Sequence, residues 1–430
     1  MSQPAGPSLT SEEAIHAYFS TPFDLLDRCA LLYPDCFTLR LGTFGTEHLG
    51  ANGDWVFVYE PTLLGELYRA NTDAIRAGEA NRVLFGEVLR PHCILALDGE
   101  AHQQRRRIVM AGLGKSQVAS ATQHVRGFAQ QRLARLPHGE PISLLPVMQE
   151  IALEANLAAL FGSPNEALRQ RYSGAIETQQ ATATAESSNR MLAHLSALLR
   201  EEIARRRRMP IRLDEQASLC EHLMHATDPS GTPLSDDDLL DELLLILIAG
   251  FHTTAVSLAW AVAWILSHPE VHARLRLELA AAGSEAETLP YLAAVVQESL
   301  RLSPIMVTAG VRLVKEDFDL GPYTLAAGTM VANCPYLLHR REDLFPQART
   351  FLPDRFLGGS SKASGFTPFG GGNRKCVGTL FAIREMETVL ATLFRQVNME
   401  LASPALAPIL EGVFYAPQGG PQVYLSSFQA

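Results

Sequence analysis

A run of 24 residues without a formal charge, from Leu243 to Leu266, constrains the fold of this chain most strongly. Its length and hydropathy are those of a transmembrane helix. Ser235 followed by three aspartates, however, predicts a helix start with a capping box in water, and Ser267-His268-Pro269 predicts its end. The run therefore belongs to a helix from Asp236 to Ser267, roughly 48 Å long at about 1.5 Å per residue.

Polar side chains interrupt this run at its middle, where His252-Thr253-Thr254 stand together. A bilayer would penalise them, whereas a buried functional site would not. We expect no second segment of this kind in the sequence, and we interpret the run as a core helix that is apolar on all sides. The polar residues halfway along it become candidates for the site.

The rest of the sequence predicts one mostly α domain with minor β structure. A chain of 430 residues with 47% apolar and 19% charged residues can bury a large core, which excludes a disordered polymer or a small disulfide scaffold. The formal charge of −10 disfavours nucleic acid as a partner. We expect residues 1–10 to be disordered and residues 11–430 to form a single domain, with loops at residues 228–233 and 357–365.

Helices predominate among the predicted elements, with strands near both ends of the chain. The predicted helices are Pro61 to Arg69, Glu100 to Gly112, Ser116 to Leu136, Leu144 to Leu160, Met191 to Arg208, Glu215 to Ala226, Asp236 to Ser267, Pro269 to Ala281 and Gly378 to Gln396. The predicted strands are Cys36 to Leu41, Trp55 to Tyr59, Gly310 to Val314, Thr329 to Cys334 and Gln422 to Leu425.

Six scattered cysteines without a CxxC pair indicate reduced thiols, and the N-terminus has neither a basic nor an apolar segment of a secretory signal. Both features favour a cytoplasmic protein without a membrane anchor. For five of the cysteines a buried structural role is the preferred interpretation, namely Cys29, Cys36, Cys93, Cys220 and Cys334.

The sixth cysteine, Cys376, stands in Phe369-Gly-Gly-Gly-Asn-Arg-Lys-Cys-Val-Gly378, which leads into a helix. A phosphate-binding loop would need Ser or Thr where this cysteine follows Lys375. A cysteine at a helix start beside Arg374 and Lys375 has its thiolate favoured, and three glycines permit a flat, bulky group to approach. Sulfur ligation of a haem iron therefore fits better than a nucleophile, which would need a histidine base.

This segment resembles the haem-binding loop of the cytochrome P450 superfamily, FGxGxRxCxG, at every fixed position. The resemblance implies the cytochrome P450 fold, with haem b between the long central helix and the cysteine loop. Cys376 would be the axial iron ligand. Phe369, Gly370 and Gly378 would contact the haem.

Two further elements of the family pattern follow in the expected order. Glu298-Ser-Leu-Arg301 resembles the ExxR pair, whose spacing places both charges on one helical face. Phe351 to Phe356 resembles the later Pro/Arg/Phe element. The resemblance implies that Glu298, Arg301 and Arg355 form a buried charge network that fixes the cysteine loop; taken alone, ExxR is equally a surface salt bridge.

The centre of the long helix, from Ala249 to Thr254, resembles the oxygen-activation segment small-Gly-x-acid-Thr-Thr. Glycine inside a helix costs about 1 kcal/mol relative to alanine, and the resemblance attributes Gly250 to the approach of oxygen and substrate. Ala249 and Gly250 would border the haem, and Thr253 with Thr254 would take part in oxygen activation. His252 stands where the family has an acid, so it is either a proton relay or a packed core histidine.

Haem propionates need cationic or hydrogen-bonding partners. His102 and Arg106 resemble the bacterial HxxxR pair, with both side chains on one helical face. Arg312 and Arg374 match two other propionate-binding positions. Each arginine alone could equally be a solvated surface charge.

The resemblance implies a soluble bacterial-type haem-thiolate monooxygenase that uses O₂ and a separate redox partner, a ferredoxin or flavodoxin type with its reductase. No flavin or nicotinamide fingerprint is found in the sequence. Alternatives are a peroxide-driven or non-oxygenating enzyme on the same fold and a non-catalytic haem sensor. Contacts to an apolar lipid, terpenoid, steroid or polyketide substrate are expected from residues 78–97, 245–253, 305–309 and 412–414.

Overall fold

The computed structural model describes residues 2–44, 47–70, 73–86, 89–162, 164–180, 185–209, 217–227, 231–283, 289–358, 365–403 and 407–426. Its helices are α1 Ser11–Ser20, α2 Pro22–Leu32, α3 Pro61–Arg69, α4 Ala77–Phe85, α5 Gly99–Gly112, α6 Lys115–Leu133, α7 Leu144–Phe161, α8 Glu166–Gln180, α9 Ala185–Arg206, α10 Leu219–His225, α11 Asp236–Ser267, α12 Pro269–Ala281, α13 Pro290–Leu302, α14 Pro335–Leu338 and α15 Thr379–Gln396. Its strands are β1 Cys36–Arg40, β2 Asp54–Val58, β3 Ile75–Arg76, β4 Ile142–Ser143, β5 Ala309–Val314, β6 Phe318–Leu320, β7 Tyr323–Leu325, β8 Met330–Asn333, β9 Asn398–Leu401, β10 Pro408–Glu411, β11 Phe414–Pro417 and β12 Gln422–Ser426.

Several sequence-based expectations lie partly outside the described residues. These parts are Met1 of the N-terminal segment, residues 215–216 of a predicted helix, residues 228–230 and 359–364 of the predicted loops, and residues 87–88 of the predicted substrate-contact region.

The largest sheet has the strand order β1-β2-β8-β5-β3. Strand β2 runs parallel to β8, and the other pairs are antiparallel. Smaller sheets join β4, β12 and β9, and two hairpins pair β10 with β11 and β6 with β7. The mostly α fold with minor β structure is confirmed.

Helix α11 is the central element of the core. It contributes buried residues to all three large hydrophobic clusters, for example Leu258 to the first, Trp260 to the second and Leu243 to the third. Both predicted ends are confirmed, and the Ser235 hydroxyl accepts the backbone N–H of Asp238 at 3.1 Å. Packing on every side explains why this helix has no polar face.

Helix α7 corrects one expectation from the sequence. Among the described residues, two helices are long and apolar enough to cross a membrane, α7 with a mean hydropathy of 1.3 and α11 with 1.9. The sequence analysis expected no second segment of this kind. Residues of both helices pack into the same clusters, and 78% of the apolar window of α7 is buried, as expected for core helices.

The N-terminal segment also differs from the expectation of disorder. Thr38 of β1 donates its backbone N–H to the carbonyl of Ala5 and its hydroxyl to the carbonyl of Pro4. Pro4 and Ala5 therefore lie against the first strand, and Ser2 forms a β-bridge with Tyr323 of β7. The amino-acid composition of this segment does not predict these contacts, because its backbone carbonyls make them.

Helices α1, α2, α4, α8 and α14 were not predicted, and α13 was implied only by the helical spacing of the ExxR pair. For α1 the signal was available, because Thr10 and Glu13 form a capping box at its start. Pro22 at the first position of α2 is a second start signal of the same kind.

Candidate active site

The cysteine loop is a tight turn that ends at the start of α15. The backbone N–H of Cys376 donates to the carbonyl of Phe369 at 3.0 Å, and Gly370 adopts a φ of +68°. A Cβ on Gly371 would lie 2.2 Å from Cε2 of Tyr68. The loop therefore needs these glycines for its backbone conformation and for its close packing on Tyr68 of α3.

Cys376 differs from the other five cysteines because its side chain is exposed and theirs are buried. Burial of the surrounding loop nevertheless raises the pKa of the Cys376 thiol above its ordinary value, while the Gly378 N–H, Arg106 and Lys375 oppose this shift. The sequence analysis expected the thiolate to be favoured, so the net direction of the pKa shift is opposite. A metal cation at the sulfur would favour the thiolate, because coordination deprotonates a thiol.

A buried basic cluster lies beside this loop. His102 on α5 is 2% exposed, and Arg374 donates from Nη2 to the carbonyl of Leu97 and to Oδ1 of Asp98, both at 2.7 Å. Nδ1 of His102 and Nη1 of Arg374 are buried without a hydrogen-bond partner among the described residues. Buried polar atoms of this kind are costly unless an acceptor or donor meets them.

The pKa values of the basic cluster also indicate that the charge of Asp98 does not fully compensate its cations. Burial, together with the charges of Arg374 and Arg106, lowers the pKa of His102 to about 4. Burial lowers the pKa of Arg374 to about 10; Asp98 opposes this shift, whereas Arg312 and Arg106 contribute to it. Cations that depress one another's pKa values in a buried place would be stabilised by an anion between them.

Arg312 on β5 completes the four predicted basic positions. It is 4% exposed, donates from Nη1 to the carbonyl of Gly310 at 2.6 Å, and lies with its guanidinium carbon 5.6 Å from the ring centre of Tyr68. The structure thus brings His102, Arg106, Arg312 and Arg374 into one region, and the reading of Arg312 and Arg374 as solvated surface charges is excluded.

Two residues of this region escaped the sequence analysis. The side-chain amide of Asn333 donates to the hydroxyls of Tyr68 and Thr367 at 2.9 and 3.3 Å, and Oδ1 of Asn333 is buried without a partner among the described residues. Tyr68 precedes the loop by about 300 residues, so no local pattern joins the two.

The predicted charge network around Glu298 is present. Arg301 donates from Nε and Nη2 to the two Glu298 oxygens at 2.7 and 2.8 Å, and both residues are fully buried. Arg355 donates from Nε to Oε1 of Glu298 at 3.1 Å. The ExxR pair is therefore not an isolated surface salt bridge. Glu298 and Arg301 are buried, and the Glu298 carboxylate binds two guanidinium groups in one network.

His339 connects this network to the cysteine loop, and the sequence analysis missed it. Its Nδ1 lies 3.1 Å from the carbonyl oxygen of Arg301, and its Nε2 accepts the backbone N–H of Thr367 at 3.0 Å. Burial and Arg301 lower its pKa to about 3, so the ring is neutral. Nδ1 therefore donates and Nε2 accepts.

The centre of α11 presents Ala249 and Thr253 to the site. Ala249 is exposed midway along the helix, and the hydroxyl of Thr253 donates to the Ala249 carbonyl at 2.6 Å. This bond leaves the lone pairs of the Thr253 oxygen available to accept a hydrogen bond. Thr254 is buried, so only the first of the two threonines borders the site.

Gly250 has a packing role that the sequence analysis did not anticipate. A Cβ at this position would lie 2.2 Å from Oδ1 of Asn156, which is buried on α7. The glycine is therefore required by the contact between α7 and α11. The approach of oxygen and substrate is not needed to explain it.

His252 is partly buried between aromatic rings. Its ring centre lies 5.1 Å from that of Phe414 and 6.5 Å from that of Phe251. Burial lowers the pKa of His252, and Glu411 opposes this shift. The imidazole is therefore neutral near neutral pH, and it can accept or donate a hydrogen bond.

These residues fit a haem. An exposed thiol at a helix start supplies a soft ligand, and the orphaned atoms of His102 and Arg374 supply donors for carboxylates. Phe251 of α11 and Val377 of the loop pack against the same hydrophobic cluster, so the long helix and the cysteine loop are neighbours in the fold.

Comparison with known proteins agrees with this geometry. Residues 180–423 match the family model described as cytochrome P450. Cytochrome P450 135B1 of Mycobacterium tuberculosis is 30% identical over 442 residues, covering 98% of this chain and 91% of that protein. Cytochrome P450 135A1 of the same organism is 27% identical, covering 91% of this chain and 88% of that protein.

Solved structures share the fold. A retinoic acid-bound cyanobacterial CYP120A1 superposes with a TM-score of 0.83 at 23% identity, with all of both chains covered. The cytochrome P450 CYP102L1 gives a TM-score of 0.80 at 21% identity, again over all of both chains. With these likenesses and the cysteine loop, the chain belongs to the cytochrome P450 family and is a haem-binding oxidoreductase of the monooxygenase class.

Proposed function

We propose that this enzyme inserts one oxygen atom from O₂ into an apolar organic substrate of the lipid, terpenoid, steroid or polyketide class. The observation that carries the proposal is the exposed thiol of Cys376 beside the buried basic cluster with its two orphaned donor atoms. Cys376 is the axial ligand of haem b in this proposal. His102, Arg106, Arg312 and Arg374 hold the propionates.

The bound haem supplies the iron at which O₂ is activated. Phe369, Gly370 and Gly378 would hold the haem on the cysteine side, and Ala249 and Gly250 would border it on α11. The Thr253 hydroxyl donates to the Ala249 carbonyl, so its oxygen would be free to accept a hydrogen bond and to take part in proton delivery. Glu298, Arg301 and Arg355 keep the cysteine loop in place through His339 and Thr367.

An apolar cavity supports the substrate class. Leu84, Phe85, Met306, Val307, Leu410 and Val413 are among its lining residues. Met306 of the lining forms a β-bridge with Phe414, whose ring lies 5.1 Å from that of His252 on α11. A mostly apolar lining selects substrates by burial of hydrocarbon surface. Three of the four predicted contact regions, residues 78–97, 305–309 and 412–414, contribute lining residues to this cavity.

Electrons come, in this proposal, from a ferredoxin or flavodoxin-type partner with its reductase in the cytoplasm. Lys375 is exposed beside the cysteine, whereas Arg374 is engaged with Asp98. Because the Arg374 side chain is buried, Lys375 is the one of these two cations that can attract an acidic partner at the surface beside the cysteine.

The test combines a spectral screen of apolar compounds with turnover measurements on the haem-loaded enzyme. A compound that shifts the Soret band is then incubated either with O₂, NADPH and a surrogate redox partner or with hydrogen peroxide alone. Product formation that needs O₂ and electrons supports the proposal. Product formed with peroxide alone supports the peroxide-driven alternative. The absence of both product and substrate-dependent NADPH consumption supports the haem sensor.

A further inference from the structure

The first turns of α11 carry a buried acidic group that the reaction does not use. Asp241 is 2% exposed and Glu242 is fully buried, and Asp238 lies one turn before them. Buried carboxylates cost several kcal/mol unless charges and donors meet them. Their partners therefore identify the part of the molecule that they serve.

Most of these partners belong to the segment between α4 and α5, residues 89–97, which we call the α4–α5 loop. Oδ1 of Asp241 pairs with Nε of Arg90 at 2.6 Å, and Oδ2 of Asp241 accepts the backbone N–H of His92 at 3.1 Å. Oε2 of Glu242 accepts the backbone N–H of Ile94 at 2.9 Å. Three successive attachments thus fix five residues of the loop to one turn of α11.

Arg105 on α5 closes the cluster from the other side. Its Nη1 donates to the His92 carbonyl at 2.7 Å and to Oε2 of Glu242 at 3.2 Å, and its Nη2 donates to Oδ1 of Asp238 at 2.6 Å. Nδ1 of His92 also lies 3.9 Å from Asp238. The loop is held both by carboxylates of α11 and by the helix that carries His102 and Arg106.

The loop lies against the face of α11 that borders the site. Cys93 and Ala96 are buried in a small cluster that includes Leu95 and Leu245, and Leu245 precedes Ala249 by one turn. At the end of the loop, the carbonyl of Leu97 accepts a hydrogen bond from Arg374. The loop therefore packs on α11 at Leu245, one turn before Ala249.

We propose that Asp241 and Glu242 are positioning residues that clamp the α4–α5 loop onto α11 and so limit the size of the ligand that reaches Ala249. The inference rests on the proposed function for the identity of the site. Hydrophobic residues of similar volume would stabilise the fold as well or better, and carboxylates instead fix one register of the loop backbone through its N–H groups.

Asp241→Asn in the haem-loaded protein tests the clamp, because the amide NH₂ replaces one of the two oxygens that accept from Arg90 and His92 and leaves that donor facing a donor. Asp236→Asn is the matched control on the same helix, since Asp236 is exposed and pairs with Arg207 at the surface. Hydrogen exchange is measured on the peptide covering residues 89–97. Imidazole and 4-phenylimidazole are titrated as iron ligands of different size.

For Asp241→Asn we expect about tenfold faster exchange of the loop peptide, because loss of one charge-assisted hydrogen bond is worth about 1.5 kcal/mol or more. The ratio of the dissociation constants of 4-phenylimidazole and imidazole should change by about tenfold, because the loosened loop restricts the larger ligand less than before. Asp236→Asn should leave both values within about twofold of the wild type. A merely structural role would change stability without changing the ligand ratio.

Unchanged loop exchange or an unchanged ligand ratio in folded Asp241→Asn overturns the clamp. If that variant does not fold, Arg90→Gln removes one loop attachment while Asp241 keeps the His92 N–H, and the same two readouts apply. If neither azole shifts the Soret band of the wild type, the proposed site is wrong. In that case, hydrogen exchange of the peptide covering residues 89–97 in Asp241→Asn still decides whether the clamp exists.

Discussion

The Nε2 atom of His339 accepts the backbone N–H of Thr367 at 3.0 Å, while its Nδ1 donates to the carbonyl of Arg301. The carbonyl of Thr367 in turn accepts the N–H of Gly370 at 3.0 Å. A neutral, fully buried imidazole thus transmits the position of the ExxR pair to the cysteine loop, since each ring nitrogen has one partner of the required kind.

His339→Leu should therefore loosen the loop that carries Cys376. The variant leaves a buried N–H and a buried carbonyl without partners, at about 1–3 kcal/mol each. We expect a lower urea midpoint and weaker haem retention, measured by unfolding and by the haem content after gel filtration. His272→Leu, at a partly buried histidine of α12 that contacts the Phe394 ring, is the control. Equal haem retention in both variants would contradict the link.

Cys376→Ala should abolish the red-shifted Soret band of the reduced carbonyl adduct, because the thiolate is the ligand that produces it. Cys29→Ala removes a buried thiol from α2 and should keep the band. Reduced carbon monoxide difference spectra of the two variants measure the effect. Persistence of the band in Cys376→Ala would transfer the ligand role to another residue.

The sequence could predict what depends on neighbouring residues or on a family pattern. The bounds of α11 follow from Ser235, its aspartates and Pro269, and the ExxR pair follows from its spacing. The contacts of Tyr68 with Gly371 and of Asn156 with Gly250 join residues far apart in the chain. No local periodicity records which distant side chain fills the space above a glycine, so these contacts required the structure.

Gly250→Ala should destabilise the protein through overpacking. The new methyl would lie 2.2 Å from Oδ1 of Asn156, which is buried and whose Nδ2 donates to the Ala152 carbonyl. We expect a loss of about 1–3 kcal/mol in the free energy of unfolding, as for other overpacked cores. Asn156→Ala combined with Gly250→Ala should recover part of it. A double variant no more stable than Gly250→Ala would locate the strain elsewhere.

Lys375→Glu should slow reduction by an acidic ferredoxin, because it reverses the exposed charge beside the cysteine. In the wild type, the reduction rate should fall as ionic strength rises, since salt screens the attraction. Arg190→Glu makes the same charge change on α9 and is the control. Stopped-flow reduction at several salt concentrations gives both rates. A wild-type rate indifferent to salt counts against electrostatic docking.

His252 should set the acidic limb of the pH profile. Burial lowers the pKa of its imidazole, so the neutral form is present above the ordinary pKa of about 6.5 and is lost as pH falls towards the lowered value. The free energy of unfolding should likewise fall as the pH falls below about 6.5, because protonation favours the unfolded state, in which the imidazole is hydrated. A neutral ring beside Phe414, on the residue next to Thr253 in the chain, can relay a proton by accepting and donating in turn.

His252→Ala should then slow product formation, remove this acidic limb and change the solvent isotope effect, with little change in haem content. His138→Ala, at an exposed histidine, should leave the profile as it is. Steady-state turnover from pH 5 to 8 in H₂O and D₂O measures all three. If folded His252→Ala keeps the turnover and pH profile of the wild type and loses only thermal stability, His252 is a packed core histidine, and Thr253 with water carries the protons.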